Sequence, residues 1–313
     1  MLSVIIPAYQ EEEMIPITAK TVSEILDGAK IPHELIFVND GSRDGTWGQI
    51  VAAAKTIRGV RGISFSKNFG KEAAMIAGLA YAKGDASVII DCDLQHPPEK
   101  IVEMYGLWQQ GYKVVEAVKL SRGKEGVFHR FAAGVFYNII SRATGIDMRN
   151  ASDFKLMDRE VVETILKMPE RQFFFRAISA WVGFRSTVVE FEVQERLRGD
   201  SKWSLKSLTK YAVTNITSFS SAPLQVVTLS GLVFFVFALI LGVHTLVKFL
   251  SGAALEGFTT VIMLQLISSS ILMLAIGMIG YYVAKIYDEV KGRPRYIVEA
   301  ETGETDAENH GDL

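Results

Sequence analysis

The stretch Ala86-Ser-Val-Ile-Ile-Asp-Cys-Asp-Leu-Gln95 joins a short apolar run to a pair of aspartates. The apolar part is rich in β-branched side chains and predicts a buried strand. Asp91 and Asp93 follow where that strand ends. Two carboxylates one residue apart can bind one hard divalent cation, Mg²⁺ or Mn²⁺, together with substrate phosphates. The stretch therefore predicts a metal-binding site at the carboxyl end of a buried strand.

The residues on either side of this stretch alternate between strand and helix patterns. We predict strands at 2–7, 34–38, 62–65, 86–90, 113–118 and 186–191, and helices at 14–26, 46–56 and 71–82. Such alternation is typical of an α/β domain with a mostly parallel sheet covered on both faces. Glu11 follows the first strand and Asp40 the second. Because parallel strands present their carboxyl ends at one edge, these acids should converge with Asp91 and Asp93. Any one of them alone would be read as a solvated loop residue or a helix cap.

The second half of the chain contains two long runs without a charged residue, Leu224–Leu246 and Phe258–Ala284. Each is long enough to cross about 30 Å of hydrocarbon at about 1.5 Å per residue. A buried core helix is the alternative, but two runs joined by residues 251–257 favour a transmembrane hairpin. Four basic residues follow the second run, Lys285, Lys291, Arg293 and Arg295, whereas the linker holds only Glu256. The positive-inside rule then predicts a multi-pass protein of the cytoplasmic (inner) membrane, with the catalytic domain and both termini in the cytoplasm.

Two further segments, 127–143 and 204–222, combine apolar residues at helical spacing with Lys and Arg. We expect amphipathic helices that lie in the membrane plane, although packing on the sheet is the alternative for each. The expected organisation is a catalytic domain over 1–203, an interfacial helix over 204–222 and two transmembrane helices within 223–285, at about 224–247 and 258–284. A C-terminal segment over 286–313 follows. Its end, residues 299–313, has six acidic residues and no Lys or Arg, and we expect it to be disordered.

Motifs of other nucleotide-binding enzymes are missing. The sequence has no Gly-x-x-x-x-Gly-Lys-Ser/Thr phosphate loop and no Gly-x-Gly-x-x-Gly after the first strand. The missing motifs argue against a dinucleotide oxidoreductase. The single cysteine, Cys92, excludes an internal disulfide framework.

The motifs that are present resemble those of family 2 inverting glycosyltransferases with the GT-A fold. They are Val4-Ile-Ile-Pro-Ala-Tyr-Gln-Glu11, Val38-Asn-Asp-Gly-Ser42, Lys67-Asn-Phe-Gly-Lys71, Asp91-Cys-Asp-Leu-Gln95, Asn150-Ala-Ser-Asp-Phe154 and Arg196-Leu-Arg-Gly-Asp-Ser-Lys-Trp203. With the C-terminal hairpin and Val290-Lys-Gly-Arg-Pro294, the chain is similar to the polyprenyl-phosphate branch. That branch includes dolichyl-phosphate mannose synthases and bactoprenol glucosyltransferases. The Gln-x-x-Arg-Trp motif of processive polysaccharide synthases is absent.

The resemblance implies roles on the donor side. Nucleotide base and ribose would be held by Pro7, Tyr9, Glu11 and Asp40. The metal and the diphosphate would be held by Asp91, Asp93 and Gln95. Lys71 would be a further donor contact, and a plain surface lysine is the alternative. His96 stands where the family often has an acid, and we expect an ordinary loop histidine there rather than a metal ligand.

On the acceptor side, the resemblance implies that Asp153 acts with Asp93 as a catalytic residue. Asp153 would order the acceptor, assist with a proton or orient a basic neighbour. The acceptor phosphate would be bound by a loop with Arg196, Arg198, Ser201 and Lys202, and by Arg122 and Arg130.

The resulting expectation is transfer of a hexose from a nucleotide sugar, UDP-glucose first, to polyprenyl (undecaprenyl) phosphate, for glycosylation of the cell envelope. Other donors remain open: GDP-mannose, UDP-N-acetylglucosamine or a modified UDP-pentose. Two competing readings are a transferase with a protein or soluble sugar acceptor, and a non-catalytic membrane protein that binds nucleotide sugar. We expect the lipid bilayer as a partner, no nucleic acid, and as further candidates a second copy of the chain, a flippase and a second glycosyltransferase.

Overall fold

The computed structural model describes residues 1–119, 152–170, 174–192, 222–252 and 257–302. The chain divides into two units, residues 1–203 with 293–313, and residues 204–292. The predicted helix at 127–143 lies outside the described residues, as does nearly all of the predicted 204–222 helix. The acidic end beyond residue 302 lies outside them too.

The first unit contains one eight-stranded sheet. Its strands are β1 (Leu2–Ala8), β2 (His33–Asn39), β3 (Val60–Phe65), β4 (Ala86–Ile89), β5 (Val114–Lys119), β6 (Lys155–Asp158), β7 (Ser186–Phe191) and β8 (Val298–Glu301). They lie in the order β7-β5-β6-β4-β1-β2-β3-β8. The pairs β4–β1, β1–β2, β2–β3 and β5–β7 are parallel, while β6 and β8 pair antiparallel with their neighbours. The α/β class and the mostly parallel sheet predicted from the sequence are confirmed.

Helices cover this sheet: α1 (Ile15–Gly28), α2 (Thr46–Thr56), α3 (Lys71–Tyr81), α4 (Lys100–Gln109), α5 (Arg159–Leu166) and α6 (Phe175–Trp181). Strands β1 and β2 are buried along almost their whole length because both faces are covered. Helix α3 approaches β1 closely at Gly78, where an added Cβ would lie 2.3 Å from the Ile5 Cγ2 atom. Lys71, the first residue of α3, lies beside the loop that follows β4.

The sequence patterns predicted neither β6 nor β8 nor the short helices α4 to α6. Strand β8 also changes the expected organisation, because residues 293–302 rejoin the sheet instead of forming a separate tail. The Thr302 hydroxyl accepts a hydrogen bond from the Gly62 amide at 2.8 Å. The Tyr296 ring stacks on Phe65 with 5.1 Å between ring centroids.

The second unit contains two long helices, α7 (Ala222–Leu250) and α8 (Phe258–Val290). Leu224–Lys248 and Val261–Val290 have mean hydropathies of 2.7 and 2.2, and their apolar windows are not buried within the protein. A core helix of a soluble protein would be mostly buried. Both helices are long and apolar enough to span a membrane.

Candidate active site

The loop after β4 carries the two closely spaced aspartates, Asp91 and Asp93. The Thr18 hydroxyl of α1 donates to the Cys92 carbonyl at 2.6 Å and ties this loop to the neighbouring helix. Leu94 has a φ of 54°, a left-handed conformation that costs a non-glycine residue about 1–2 kcal/mol. The Gln95 amide donates to Asp93 Oδ1 at 3.1 Å. The chain therefore turns sharply within a few residues of the end of β4 and keeps both aspartates at the edge of the sheet.

An ammonium group lies between two carboxylates at this edge. Lys71 Nζ contacts Asp91 Oδ1 at 2.6 Å and donates to Asp153 Oδ2 at 3.0 Å. Asp153 comes from the segment that precedes β6, so α3, the β4 loop and the start of β6 meet here. Lys71 is thus part of an ion-paired cluster, and its role as a donor contact stays a prediction.

A second cation binds the same carboxylate. Arg176, the second residue of α6, donates from Nε to Asp153 Oδ1 at 2.7 Å and from Nη2 to Oδ2 at 2.9 Å. This is the bidentate arrangement in which guanidinium–carboxylate bonds are strongest. Burial by itself would raise the pKa of Asp153, but the charges of Lys71 and Arg176 outweigh it and hold the pKa far below its ordinary value. Asp153 is therefore an anion at any physiological pH.

The charge balance also affects the neighbours of Asp153. Burial lowers the pKa of Lys71, but Asp91 and Asp153 together raise it above its ordinary value, so the ammonium stays charged. Glu72 Oε2 accepts the Phe175 amide at 3.0 Å, at the start of α6. Burial, and then the charge of Asp153, raise the pKa of Glu72 to about 7. The cluster thus contains two firmly ionised carboxylates, Asp91 and Asp153, and one that titrates near neutrality.

The loop after β2 supports this cluster from the side. Asp40 is buried, and its carboxylate accepts hydrogen bonds from the Asn68 side chain at 2.9 Å and the Phe69 amide at 2.7 Å. The Gly70 amide donates to the same carboxylate at 2.9 Å. Gly41 has a φ of 63°, and an added Cβ would lie 2.2 Å from the Lys67 carbonyl carbon. The Asn-Asp-Gly-Ser motif therefore fixes the segment that leads into Lys71.

The loop after β1 lies beside the β2 loop. The Gln10 amide donates to the Ser42 hydroxyl and the Glu11 amide to the Thr46 hydroxyl, both at 2.9 Å. Tyr9 is 40% exposed at this edge. Backbone amides, and not the Tyr9 side chain, make these contacts. The Tyr9 ring is therefore left accessible at the edge of the sheet.

The predicted donor-side residues thus lie at the carboxyl ends of three adjacent strands. Pro7, Tyr9 and Glu11 lie at the end of β1, Asp40 after β2, Asp91, Asp93 and Gln95 after β4, and Lys71 lies beside them. Asp153 joins the same cluster. The predicted acceptor-phosphate residues Arg122, Arg130, Arg196, Arg198, Ser201 and Lys202 lie outside the described residues.

Two residues of the cluster were missed by the sequence reasoning, Arg176 and Glu72. The available signal was an arginine within the otherwise uncharged helix Phe175–Trp181. His96 is buried and its ring stacks on Phe154 with 5.1 Å between centroids. Its Nδ1 atom lies 4.0 Å from Asp91 Oδ2, beyond hydrogen-bonding distance.

The donor atoms at this edge fit a hard divalent cation that shares its coordination with a substrate. Asp91 and Asp93 provide carboxylate oxygens, and the Asp91 side chain is 30% exposed. Within the described part of the chain, no group of three or more His, Cys, Asp or Glu side chains could hold a metal. Mg²⁺ commonly binds through one or two carboxylates plus substrate phosphates and water. The site therefore fits a metal that arrives with a phosphate-bearing ligand better than a permanent protein-caged ion.

Comparison with known proteins identifies the family. The model of glycosyl transferase family 2 matches residues 3–166. The chain belongs to glycosyl transferase family 2. This family 2 glycosyltransferase is 39% identical to the uncharacterized glycosyltransferase YkcC of Bacillus subtilis (strain 168), over 96% of this chain and 94% of that protein. It is also 39% identical to the prophage bactoprenol glucosyl transferase homolog of Escherichia coli (strain K12), over 95% of this chain and 98% of that one.

A further relative of this family 2 glycosyltransferase is the bactoprenol glucosyl transferase of Shigella phage SfV, which is 38% identical over 96% of this chain and 98% of that one. Among solved structures, glucosyl-3-phosphoglycerate synthase from Mycobacterium tuberculosis matches with a TM-score of 0.49 and 23% identity. That match covers 70% of this chain and 79% of the other.

Proposed function

We propose that this glycosyltransferase moves glucose from UDP-glucose to a polyprenyl phosphate, with inversion at the anomeric carbon. Full-length relatives named bactoprenol glucosyl transferase support the lipid acceptor and the glucosyl group. Two helices long and apolar enough to span a membrane are in keeping with a lipid substrate. The product would be a polyprenyl-phosphate sugar for cell-envelope glycosylation.

One observation carries the proposal: the contact of Lys71 with both Asp91 and Asp153. Asp91 belongs to the predicted donor side and Asp153 to the predicted acceptor side. A single ammonium group reaches both carboxylates, so the two substrates would meet within one cluster. Holding two reactants in the correct orientation accounts for about 7–11 kcal/mol of a reaction barrier.

Asp91 and Asp93, with Gln95 beside them, would hold Mg²⁺ or Mn²⁺. When bound, the metal neutralises charge on the departing diphosphate. The protein's own residues would position the reactants. Lys71 adds positive charge where the nucleoside diphosphate leaves, and such preorganised charge stabilises a transition state without later rearrangement. The acceptor phosphate is already anionic, so direct displacement from the opposite face of the sugar needs little help from a general base.

For the membrane, we propose a hairpin with the catalytic unit and both termini in the cytoplasm. Strand β8 supports this arrangement, because the chain leaves the sheet unit before α7 and rejoins the same sheet after α8. Such a return to the same sheet supports two crossings in the proposed hairpin. Lys285, Lys291, Arg293 and Arg295 near the end of α8 and beyond it favour the cytoplasmic side.

The test is release of nucleoside diphosphate by the purified full chain in lipid. We expect UDP release from UDP-glucose that depends on undecaprenyl phosphate and on Mg²⁺ or Mn²⁺. GDP-mannose, UDP-N-acetylglucosamine and a UDP-pentose should be poorer donors. Release that depends on a protein or soluble sugar acceptor would contradict the lipid assignment, and donor binding without turnover under any condition would identify a non-catalytic binding protein. A flippase and a second glycosyltransferase would be the natural users of the product.

A further inference from the structure

Asp153 is nearly buried and has two cationic partners, both more exposed than itself. Its side chain is 9% exposed, whereas those of Lys71 and Arg176 are 42% and 27% exposed. Both carboxylate oxygens accept charged donors, Oδ1 from Arg176 and Oδ2 from Arg176 and Lys71. The carboxylate therefore lies beneath two cations that reach the surface of the cluster.

This arrangement is unsuited to proton transfer by Asp153. A general base needs an oxygen that can reach the substrate proton and a pKa near the working pH. Here the oxygens are occupied by a bidentate guanidinium and an ammonium, and the same charges hold the pKa of Asp153 far below its ordinary value. Of the three roles that the sequence left open, orientation of basic neighbours is the one that this geometry supports.

A second layer of bonds keeps Asp153 and Arg176 in place. Lys155 is 1% exposed, donates to the Ser179 hydroxyl of α6 at 2.7 Å and pairs with Glu116 at 3.2 Å. Glu116 in turn accepts the Ser152 amide at 2.7 Å. These contacts tie the segment that carries Asp153 to the helix that carries Arg176. The position of Arg176 relative to Asp153 is thus set by the fold.

We propose that Asp153 is a positioning residue that holds Lys71 and Arg176 as a two-cation site for a phosphate group of a substrate, beside Asp91. The inference rests on the proposed function for the nature of that substrate. Guanidinium and ammonium groups are strong phosphate ligands, and a guanidinium held by a carboxylate is already oriented. The phosphate is either the acceptor's monophosphate or the donor's diphosphate, because both present anionic phosphate oxygens to the two cations.

The experiment compares Asp153→Asn, Lys71→Met and Arg176→Met in the full chain, each reconstituted in lipid. Dissociation constants for UDP and for undecaprenyl phosphate are measured without turnover, and kcat and KM with turnover. Loss of a charged hydrogen bond should weaken the affected phosphate ligand by about tenfold or more. Weaker undecaprenyl phosphate binding assigns the site to the acceptor, and weaker UDP binding assigns it to the donor. Both results support the proposal.

Conservative and matched variants complete the design. Arg176→Lys keeps the charge but loses the bidentate contact, so its affinity should lie between wild type and Arg176→Met. Because Lys71 and Arg176 are partly exposed, their variants remain informative even if Asp153→Asn unfolds. The control is Asp158→Asn, which removes a comparable aspartate–lysine pair, with Lys113 at 2.9 Å, outside the cluster. It should leave both affinities unchanged.

Two results would overturn the inference. One is unchanged affinity for both phosphate ligands in all three variants. The other is an Asp153→Asn protein with normal affinities, reduced kcat and a lost acid limb in its pH–rate profile, which is the behaviour of a general base. The proposed function is judged separately, by wild-type turnover with undecaprenyl phosphate. The two can therefore fail independently.

Discussion

Replacement of Gly41 by alanine should damage both stability and ligand binding. Gly41 has a φ of 63°, and its added Cβ would lie 2.2 Å from the Lys67 carbonyl carbon and 2.5 Å from the Asn68 amide nitrogen. Both neighbours are backbone atoms, so no side-chain rotation can relieve the overlap. The segment that leads from Lys67 to Lys71 must move away from the β2 loop.

The cost has two parts. A left-handed conformation costs alanine about 1–2 kcal/mol, and overpacking typically costs about 1–3 kcal/mol. Their sum, about 2–5 kcal/mol, should lower the melting temperature of a domain of this size by roughly 4–20 °C. Because Asp40 holds the same segment through the Phe69 and Gly70 amides, Lys71 should also lose its position. UDP affinity or turnover should therefore fall.

The assay is thermal unfolding of the purified full chain, with UDP binding measured on the same samples. Gly48→Ala is the matched control, since nothing lies within 4 Å of an added Cβ there and Gly48 is inside α2. Alanine in a helix interior is favoured over glycine by about 0.5–1 kcal/mol, so this variant should be at least as stable as wild type. If Gly41→Ala has the same melting temperature as Gly48→Ala and wild type, the two loops do not approach each other as closely as described.

Three further predictions concern the metal, pH and the membrane. Asp93→Asn should abolish glycosyl transfer without lowering the melting temperature, and UDP binding should lose its response to Mg²⁺ or Mn²⁺. If the variant keeps near-normal turnover in buffer with a chelator, Asp93 is not a metal ligand. Because burial and Asp153 raise the pKa of Glu72 from 4.5 to about 7, the folded state keeps a proton that the unfolded chain loses. Stability should therefore fall as pH rises from 4.5 to 7, and Glu72→Gln should flatten that decline in pH-dependent melting curves; an equal slope would refute the assignment. In intact cells, an impermeant thiol reagent should label Ala254→Cys but not the exposed Lys20→Cys, with buried Cys92 as a silent background; the opposite labelling would reverse the proposed topology.

Local patterns in the sequence predicted much of this protein. The strand-then-acid motifs after β1, β2 and β4 indicated the parallel part of the sheet and the edge where the site lies. They succeeded because a buried parallel strand reads as a continuous apolar run and its ligand-binding residues follow directly. The two long uncharged runs likewise predicted α7 and α8. The length and apolar character of such helices are properties of consecutive residues.

The partners of Asp153 were decided only by the tertiary structure. Lys71 is 82 residues away in the chain and Arg176 is 23 residues away. No periodicity links them, because they meet through the packing of α3, the segment before β6 and α6. The sequence could mark Asp153 as important through its motif, but the choice between proton acceptor and positioning residue depends on which cations surround it.

Strand β8 shows the same limit at the end of the chain. Four residues carry too little local signal to predict a strand, and acidic neighbours made the segment resemble a solvated tail. Its stability comes from contacts with distant residues, including the Gly62–Thr302 hydrogen bond across 240 residues of sequence. The sequence alone therefore predicted the family motifs, the parallel strands of the sheet and the apolar helices, each of which is encoded by neighbouring residues. Only the tertiary structure decided the ion-paired cluster and the returning strand, because their free energy arises from groups that the folded chain brings together.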